Sequence, residues 1–260
     1  MKEDVLDSRL GEYLLRAEPF HCDWAGRLTM GYLGNHLLNA SGNHASERHF
    51  NIEHLINYSW VLSRLVVEID HMPMQHEQFS VQTWVENVQR LFTSRNYTII
   101  DESRQPIGHG RAIWALIDLQ TRKPQDLVHF NDGQLLQYLI PEKVSPIDGP
   151  GRVKLSADAP VVYTHKVAYS DIDLNGHLNS VRYIEHLLNT FDMDFHKQYI
   201  LKRFEIAYSA ECYAGEMISI YKEQVGTQKY NLEVRRPDGV VAVKAQLTFI
   251  ENAVANNDNT

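Results

Sequence analysis

The chain reads as an α+β protein in which a helix lies against an antiparallel sheet, and the pattern occurs twice. Three observations predict this. Each half shows a strand-like run, an amphipathic helix and then four further strand-like runs. In both halves the apolar residues change from helical spacing to alternation after the helix. A Pro- and Gly-rich stretch separates the halves. With 43% hydrophobic and 10% aromatic residues, the 260-residue chain can bury a core in each half rather than remain unfolded.

In the first half, residues 13–22 read as a strand and residues 28–45 as a helix, with Leu33, Leu37, Ala40 and His44 at three- and four-residue steps. Strand-like runs follow at 59–69, 79–88, 95–101 and 109–119, where Trp84-Val85 and Trp114-Ala115-Leu116-Ile117 supply β-prone bulk. Residues 121–160 contain Pro124, Pro141, Pro146, Pro150, Gly149 and Gly151, a linker composition with room for a short helix at 134–140. The second half opens with a strand over 160–169 and a helix over 177–191, whose stripe is Leu178, Val181, Ile184, Leu188 and Phe191. Its strands fall at 201–208, 217–223, 230–235 and 240–250. In the last, Val241, Val243, Ala245, Leu247 and Phe249 alternate as a half-buried strand requires. Arg236-Pro237-Asp238-Gly239 marks the turn before it. The expected division is residues 1–125 for the first unit, 126–158 for the linker, 159–251 for the second unit and 252–260 for a disordered polar tail. Strand, long helix and four antiparallel strands is the layout of a hot-dog domain. The expectation is therefore a double hot-dog, two antiparallel sheets each wrapped around a long helix.

Composition narrows the function. A net charge of −8 without a basic block speaks against nucleic-acid binding, which needs a positive face to offset phosphate. No apolar run approaches the roughly 20 residues of a membrane span. The opening MKEDVLDSRLGEYLL is too charged for a signal peptide, so a cytoplasmic enzyme is expected. Two cysteines, Cys22 and Cys212, fit free thiols in a reducing compartment. Thirteen histidines are scattered, at 21, 36, 44, 49, 54, 71, 76 and onward, without HExxH or paired-cysteine spacing, so neither metal nor cofactor is expected.

The segment richest in chemistry is Asp171-Ile172-Asp173-Leu174-Asn175-Gly176-His177-Leu178-Asn179, between the expected strand and helix of the second half. It matches the start of a calcium loop, D-x-D-x-N-G. However, the twelfth position, which needs a bidentate carboxylate, is Arg182, and a strand stands where the entering helix belongs. Without calcium, Asp173, Asn175 and His177 bring an acid, an amide and an imidazole together at a helix start, where backbone N–H groups and partial positive charge collect. Backbone N–H groups near Gly176 and His177 are candidate oxyanion donors, one such donor being worth about 3 kcal/mol. The bland alternatives are that Asn175 caps the helix, worth about 1 kcal/mol, and that Asp173 only forms the turn.

Several segments together resemble the acyl–acyl-carrier-protein thioesterases, which are tandem hot-dog proteins. Asp173, Asn175 and His177 match the D-x-N-x-H stretch of that family, followed by the similar Leu178-Asn179-Ser180-Val181-Arg182-Tyr183-Ile184. Tyr208-Ser209-Ala210-Glu211-Cys212 matches a segment ending in adjacent Glu and Cys, although Ser209 and Ala210 stand where many relatives carry arginines. WALIDLQTRKP at 114–124, and Thr83-Trp84-Val85 followed by Arg95-Asn96-Tyr97, are likewise similar. The stretch before the first strand does not resemble a plant-style transit peptide, so a bacterial layout is expected.

The resemblance implies hydrolysis of a fatty acyl thioester of acyl carrier protein, with water as acceptor and no cofactor. It implies Asp173, Asn175, His177, Glu211 and Cys212 as catalytic residues, His177 and Asn175 meeting substrate or water and Asp173 orienting them. It favours Glu211 as the base that activates water. A Cys212 nucleophile assisted by an imidazole is the alternative. The first unit is expected to house the acyl chain, with Leu33, Leu37 and the strands that carry Trp84 and Trp114 as lining. Arg182, Lys202 and Arg203 are the basic residues placed to meet an acidic carrier. An acyl-CoA thioesterase or a non-catalytic acyl-binding protein is the runner-up, and the assembly is expected to be a monomer or a homodimer.

Overall fold

The computed structural model describes residues 9–49 and 55–253. His54 and the tail beyond residue 253 lie outside the described residues. The chain divides into two compact units, Met1–Ser63 with Asp70–Gly149, and Arg64–Ile69 with Pro150–Thr260.

The first unit holds β1 (Gly11–Arg16), α1 (Met30–Ser46), β2 (Tyr58–Ile69, its later half counted with the second unit), β3 (Gln78–Val88), β4 (Thr93–Asp101) and β5 (Pro106–Asp118). Their order across the sheet is β1-β3-β4-β5-β2. The first strand ends earlier than expected because Pro19 opens a 3-10 turn, Pro19–His21. Thr29 accepts the Tyr32 N–H and starts α1. In-register Gly11, Thr83, Tyr97 and Gly110 form one row across four strands. The helix lies on this row. A Cβ at Gly11 would stand 2.6 Å from the His44 ring and one at Gly110 3.0 Å from the Tyr97 ring, so glycine leaves room for both rings. Tyr97 shares a 2.6 Å hydrogen bond with Ser41.

Strand alternation puts the Trp84 side chain on the opposite face from Thr83. There its indole N–H donates to the Lys143 carbonyl at 2.7 Å, and the Lys143 ammonium sits 4.5 Å from the ring centroid. The Pro-rich segment is thus packed on the sheet as a cover. Trp114, paired with Thr93, does share the helix-facing side with Tyr97. That interior is partly polar, since His44 and Arg95 are buried in it together with the Ser41–Tyr97 pair. Burial holds His44 neutral, its pKa lowered to about 3.

The second unit has strand order β2-β7-β10-β9-β8-β6, with β6 (Val161–Lys166), β7 (Tyr199–Tyr208), β8 (Met217–Gly226), β9 (Lys229–Arg235) and β10 (Val241–Glu251). Residues after Gly149 pack against it, Gly151 N–H donating to Glu205 and Asn231 to the Lys154 carbonyl. The helix differs from its expected span at both ends. It runs as α2 (Ser180–Leu188), and a separate α3 (Met193–Gln198) follows. Asn179 caps α2 by accepting the Val181 N–H, and Asp192 caps α3 by accepting the Phe195 N–H. A second capping residue so soon after Leu188 ends one helix and begins another. Val181, Ile184 and Leu187 are buried, each worth about 1.5–3 kcal/mol, and they fix which face of α2 meets the sheet.

Candidate active site

Between β6 and α2 the chain makes a 3-10 turn, Tyr169–Asp171, and then a tight loop over 172–179. Asp173 organises that loop. Its Oδ1 accepts the backbone N–H of Asn175 at 2.8 Å and of His177 at 3.3 Å. Its own N–H donates to the His177 carbonyl and its carbonyl accepts the Gly176 N–H, with Gly176 at φ +81°. Asp173 is therefore the turn former, as the bland reading had it. The backbone N–H groups of Gly176 and His177 are spent on it, so they are not the oxyanion donors that the sequence suggested. Asn175 does not cap the helix; Asn179 does. The Asn175 amide is exposed instead, its Nδ2 3.4 Å from Asp173 Oδ2, and it is left to face solvent or substrate.

Glu211 and Cys212 follow the end of β7. Ser209 and Ala210 both donate to the Ala242 carbonyl, a local irregularity that turns the chain out of the sheet. The Leu178 N–H donates to the Cys212 carbonyl at 2.8 Å, which stitches this segment to the loop. His177 Nε2 then lies 3.2 Å from Glu211 Oε2, with side chains 25% and 36% exposed. Imidazole and carboxylate meet in a place that solvent reaches. Cys212 points the other way. It is fully buried, and burial pushes its thiol up, away from the thiolate that nucleophilic attack needs. The structure thus brings Asp173, Asn175, His177 and Glu211 together and leaves the Cys212 sulfur behind them.

Sequence reasoning missed three features of this region. Tyr213 donates its hydroxyl to Glu211 Oε2 at 3.1 Å, and Arg236 donates to the Glu211 carbonyl. A buried cluster lies below the loop. His165 Nε2 is 2.7 Å from Asp171 Oδ2, and His186 Nε2 is 3.1 Å from Asp171 Oδ1. These donors lie within 4.8 Å of one another, close enough to hold a metal ion. Each imidazole already has its own carboxylate oxygen, however, and Nδ1 of His186 is buried without a partner, whereas metal-bound histidines usually anchor that nitrogen. The cluster therefore reads as a clamp joining β6, the loop and α2. Burial pushes the Asp171 carboxyl up, but the Ala168 N–H and the two histidines outweigh it and hold the group below the usual range.

The third feature is an internal copy of the loop. Asp23-Trp24-Ala25-Gly26-Arg27-Leu28-Thr29 in the first unit has the same turn as residues 173–179. Asp23 accepts the Ala25 and Arg27 N–H groups, Gly26 sits at φ +76°, and Thr29 caps the helix. Ala25 and Arg27 stand where the second unit has Asn175 and His177, and Arg27 is paired with Asp23 at 3.1 Å. The shared D-x-x-G-x-L spacing was the available signal. The scaffold is duplicated and the amide and imidazole are not. Two of the three basic residues expected to meet a carrier are also engaged: Arg182 pairs with Glu185, and Arg203 with Glu68 and Glu205.

Two helix-and-sheet units, with an amide, an imidazole and a carboxylate gathered at the mouth of the second helix, make up an α+β double hot-dog protein. Residues 12–129 match the acyl-ACP thioesterase N-terminal domain, and residues 156–251 match the acyl-ACP thioesterase C-terminal domain. A solved acyl-ACP thioesterase from Bacteroides thetaiotaomicron is 46% identical, covering 93% of this chain and 98% of its own, with a TM-score of 0.88. The chain belongs to the acyl-ACP thioesterase family. The 12:0-ACP thioesterase from Umbellularia californica shares the fold at TM-score 0.84 and 15% identity, over 95% of this chain and 99% of its own. The oleoyl-acyl carrier protein thioesterase of Coriandrum sativum is 24% identical over 73% of this chain and 56% of its own length, so the chain spans little more than half of that curated relative. No helix among the described residues is long and apolar enough to cross a membrane.

Proposed function

We propose that this chain hydrolyses the thioester between a fatty acyl group and the phosphopantetheine of acyl carrier protein, releasing free fatty acid and holo-carrier. The observation that carries this reading is the 3.2 Å approach of His177 Nε2 to Glu211 Oε2, in a chain of this family. Glu211 takes a proton from water, and the hydroxide adds to the acyl carbonyl. Asn175, whose exposed amide can donate, steadies the developing oxyanion. The tetrahedral intermediate collapses by breaking the C–S bond, and the His177 imidazole delivers a proton to the departing sulfur. Asp173 holds Asn175 and His177 in register through its two backbone contacts. Cys212 packs beneath the site. Free Cys22 and Cys212 suit a reducing cytoplasmic setting, and the working assembly is a monomer or a homodimer.

A panel of acyl-carrier esters of varied chain length, run beside matched CoA esters with free-thiol trapping, tests the reading. Higher kcat/KM on carrier esters is the expected result. Faster turnover of CoA esters would make the chain an acyl-CoA thioesterase, and binding without thiol release would make it an acyl-binding protein.

A further inference from the structure

Beside the His177–Glu211 contact stands a side chain that the mechanism above does not use. Tyr213 donates its hydroxyl to Glu211 Oε2 at 3.1 Å, the same oxygen that lies 3.2 Å from His177 Nε2. Its ring also meets the His177 imidazole edge-on, centroids 5.2 Å apart and planes at 82°. We propose that Tyr213 is a positioning residue for the hydrolysis, holding the Glu211 carboxylate in the rotamer that faces His177. This rests on the reading of Glu211 as the base.

The local backbone explains why this residue reaches the site. Along an extended segment alternate side chains share a side, so Glu211 and Tyr213 face out together while Cys212 between them turns into the core. The next three residues fix Tyr213 from below. Its N–H donates to Glu216 Oε2 at 2.9 Å, and the Glu216 N–H returns to the Tyr213 carbonyl at 3.2 Å. That turn needs a left-handed residue, supplied by Gly215 at φ +87°, whose N–H in turn donates to the Val167 carbonyl. Arg236 closes the bracket, donating to the Glu211 carbonyl at 3.2 Å and lying 3.7 Å from Glu216. The phenol therefore stands on a braced turn.

The carboxylate it holds needs such help. Glu211 is about a third exposed, and a glutamate at such a position samples several rotamers with water competing for its oxygens. A phenolic O–H directed at Oε2 from a fixed base selects the rotamer that also touches the imidazole. The edge-on ring limits rotation of that imidazole at the same time. A catalytic group held in place before substrate arrives has less reorganisation left to do at the transition state.

The test uses the full chain and an acyl-carrier ester. Tyr213→Phe is expected to lower kcat about tenfold with KM within about twofold and an unchanged melting temperature, the pattern of an interaction made in the transition state. In a Glu211→Asp background, where the shorter carboxylate falls out of reach of the phenol, the same change should lower kcat by less than about twofold, because coupled residues are not additive. Wild-type kcat in Tyr213→Phe overturns the proposal. So does a raised KM with kcat intact, which would make the phenol a substrate contact, and so does a full tenfold loss persisting in the Glu211→Asp background. Wild-type kcat in Glu211→Gln would instead remove the base assignment itself, whatever Tyr213→Phe does.

Discussion

Glu211 and Cys212 are neighbours with opposite fates, and the difference is burial. The sequence offered both as candidate reactive groups, since a Glu-Cys pair says nothing about which side chain points outward. The structure places the carboxylate 3.2 Å from the imidazole and buries the sulfur completely. A thiol whose pKa is raised by burial is a poor nucleophile at neutral pH. Cys212→Ala should therefore keep at least about a tenth of wild-type kcat, its loss reflecting packing rather than chemistry. A folded but inactive Cys212→Ala would return the nucleophile to sulfur. At this scale the motif residues were legible because Asp173, Asn175 and His177 are close in sequence. The His165–Asp171–His186 clamp was not, because folding gathers it from three elements, and Tyr213, though only two residues past Glu211, carries no motif that marks it.

The elements around the site were legible as types and less so at their ends. Alternation in residues 241–249 and the helical stripe through Val181 and Ile184 are side-chain periodicities, and these survive folding. Boundaries depend on capping. The second helix was expected from residue 177 but begins at Ser180, because residues 173–177 close a loop on Asp173 and Asn179 takes the cap. Leu188 was placed on the apolar stripe, yet the helix buries Leu187 and stops one residue later. Asn179→Ala should cost about 1 kcal/mol by removing the cap bond to the Val181 N–H. In a chain of this size that corresponds to a fall of roughly 2–4 °C in melting temperature. Calorimetry checks it, and an unchanged melting temperature would deny Asn179 the cap.

Taken as a molecule, the chain carries two copies of one scaffold with unequal chemistry. Asp23 and Asp173 build the same turn, but only the second presents an amide and an imidazole; the first presents Ala25 and an Arg27 already paired with its own Asp. The duplication was legible as a repeated order of elements. The absence of the amide and imidazole from the first copy becomes visible only when the two turns are compared. Stability should also carry a pH signature. His44 is buried and neutral, its folded pKa about 3 against an unfolded value near 6.5, and burial lowers His36 and His186 in the same direction. Below about pH 6.5 the unfolded chain binds protons that the folded chain refuses, so this stability is present above that pH and is lost as pH falls toward about 3. His44→Gln should accordingly show a smaller drop in melting temperature between pH 7 and pH 4.5 than wild type, and an equal drop would contradict the assignment. Both halves of the site meet in one proposed step, in which Glu211, set against His177, activates the water that cleaves the carrier thioester. Single-turnover thiol release from an acyl-carrier ester by folded Glu211→Gln tests it most directly. A rate slower by about 10²–10⁴ is expected, the usual range for losing a general base. A rate equal to wild type would contradict it.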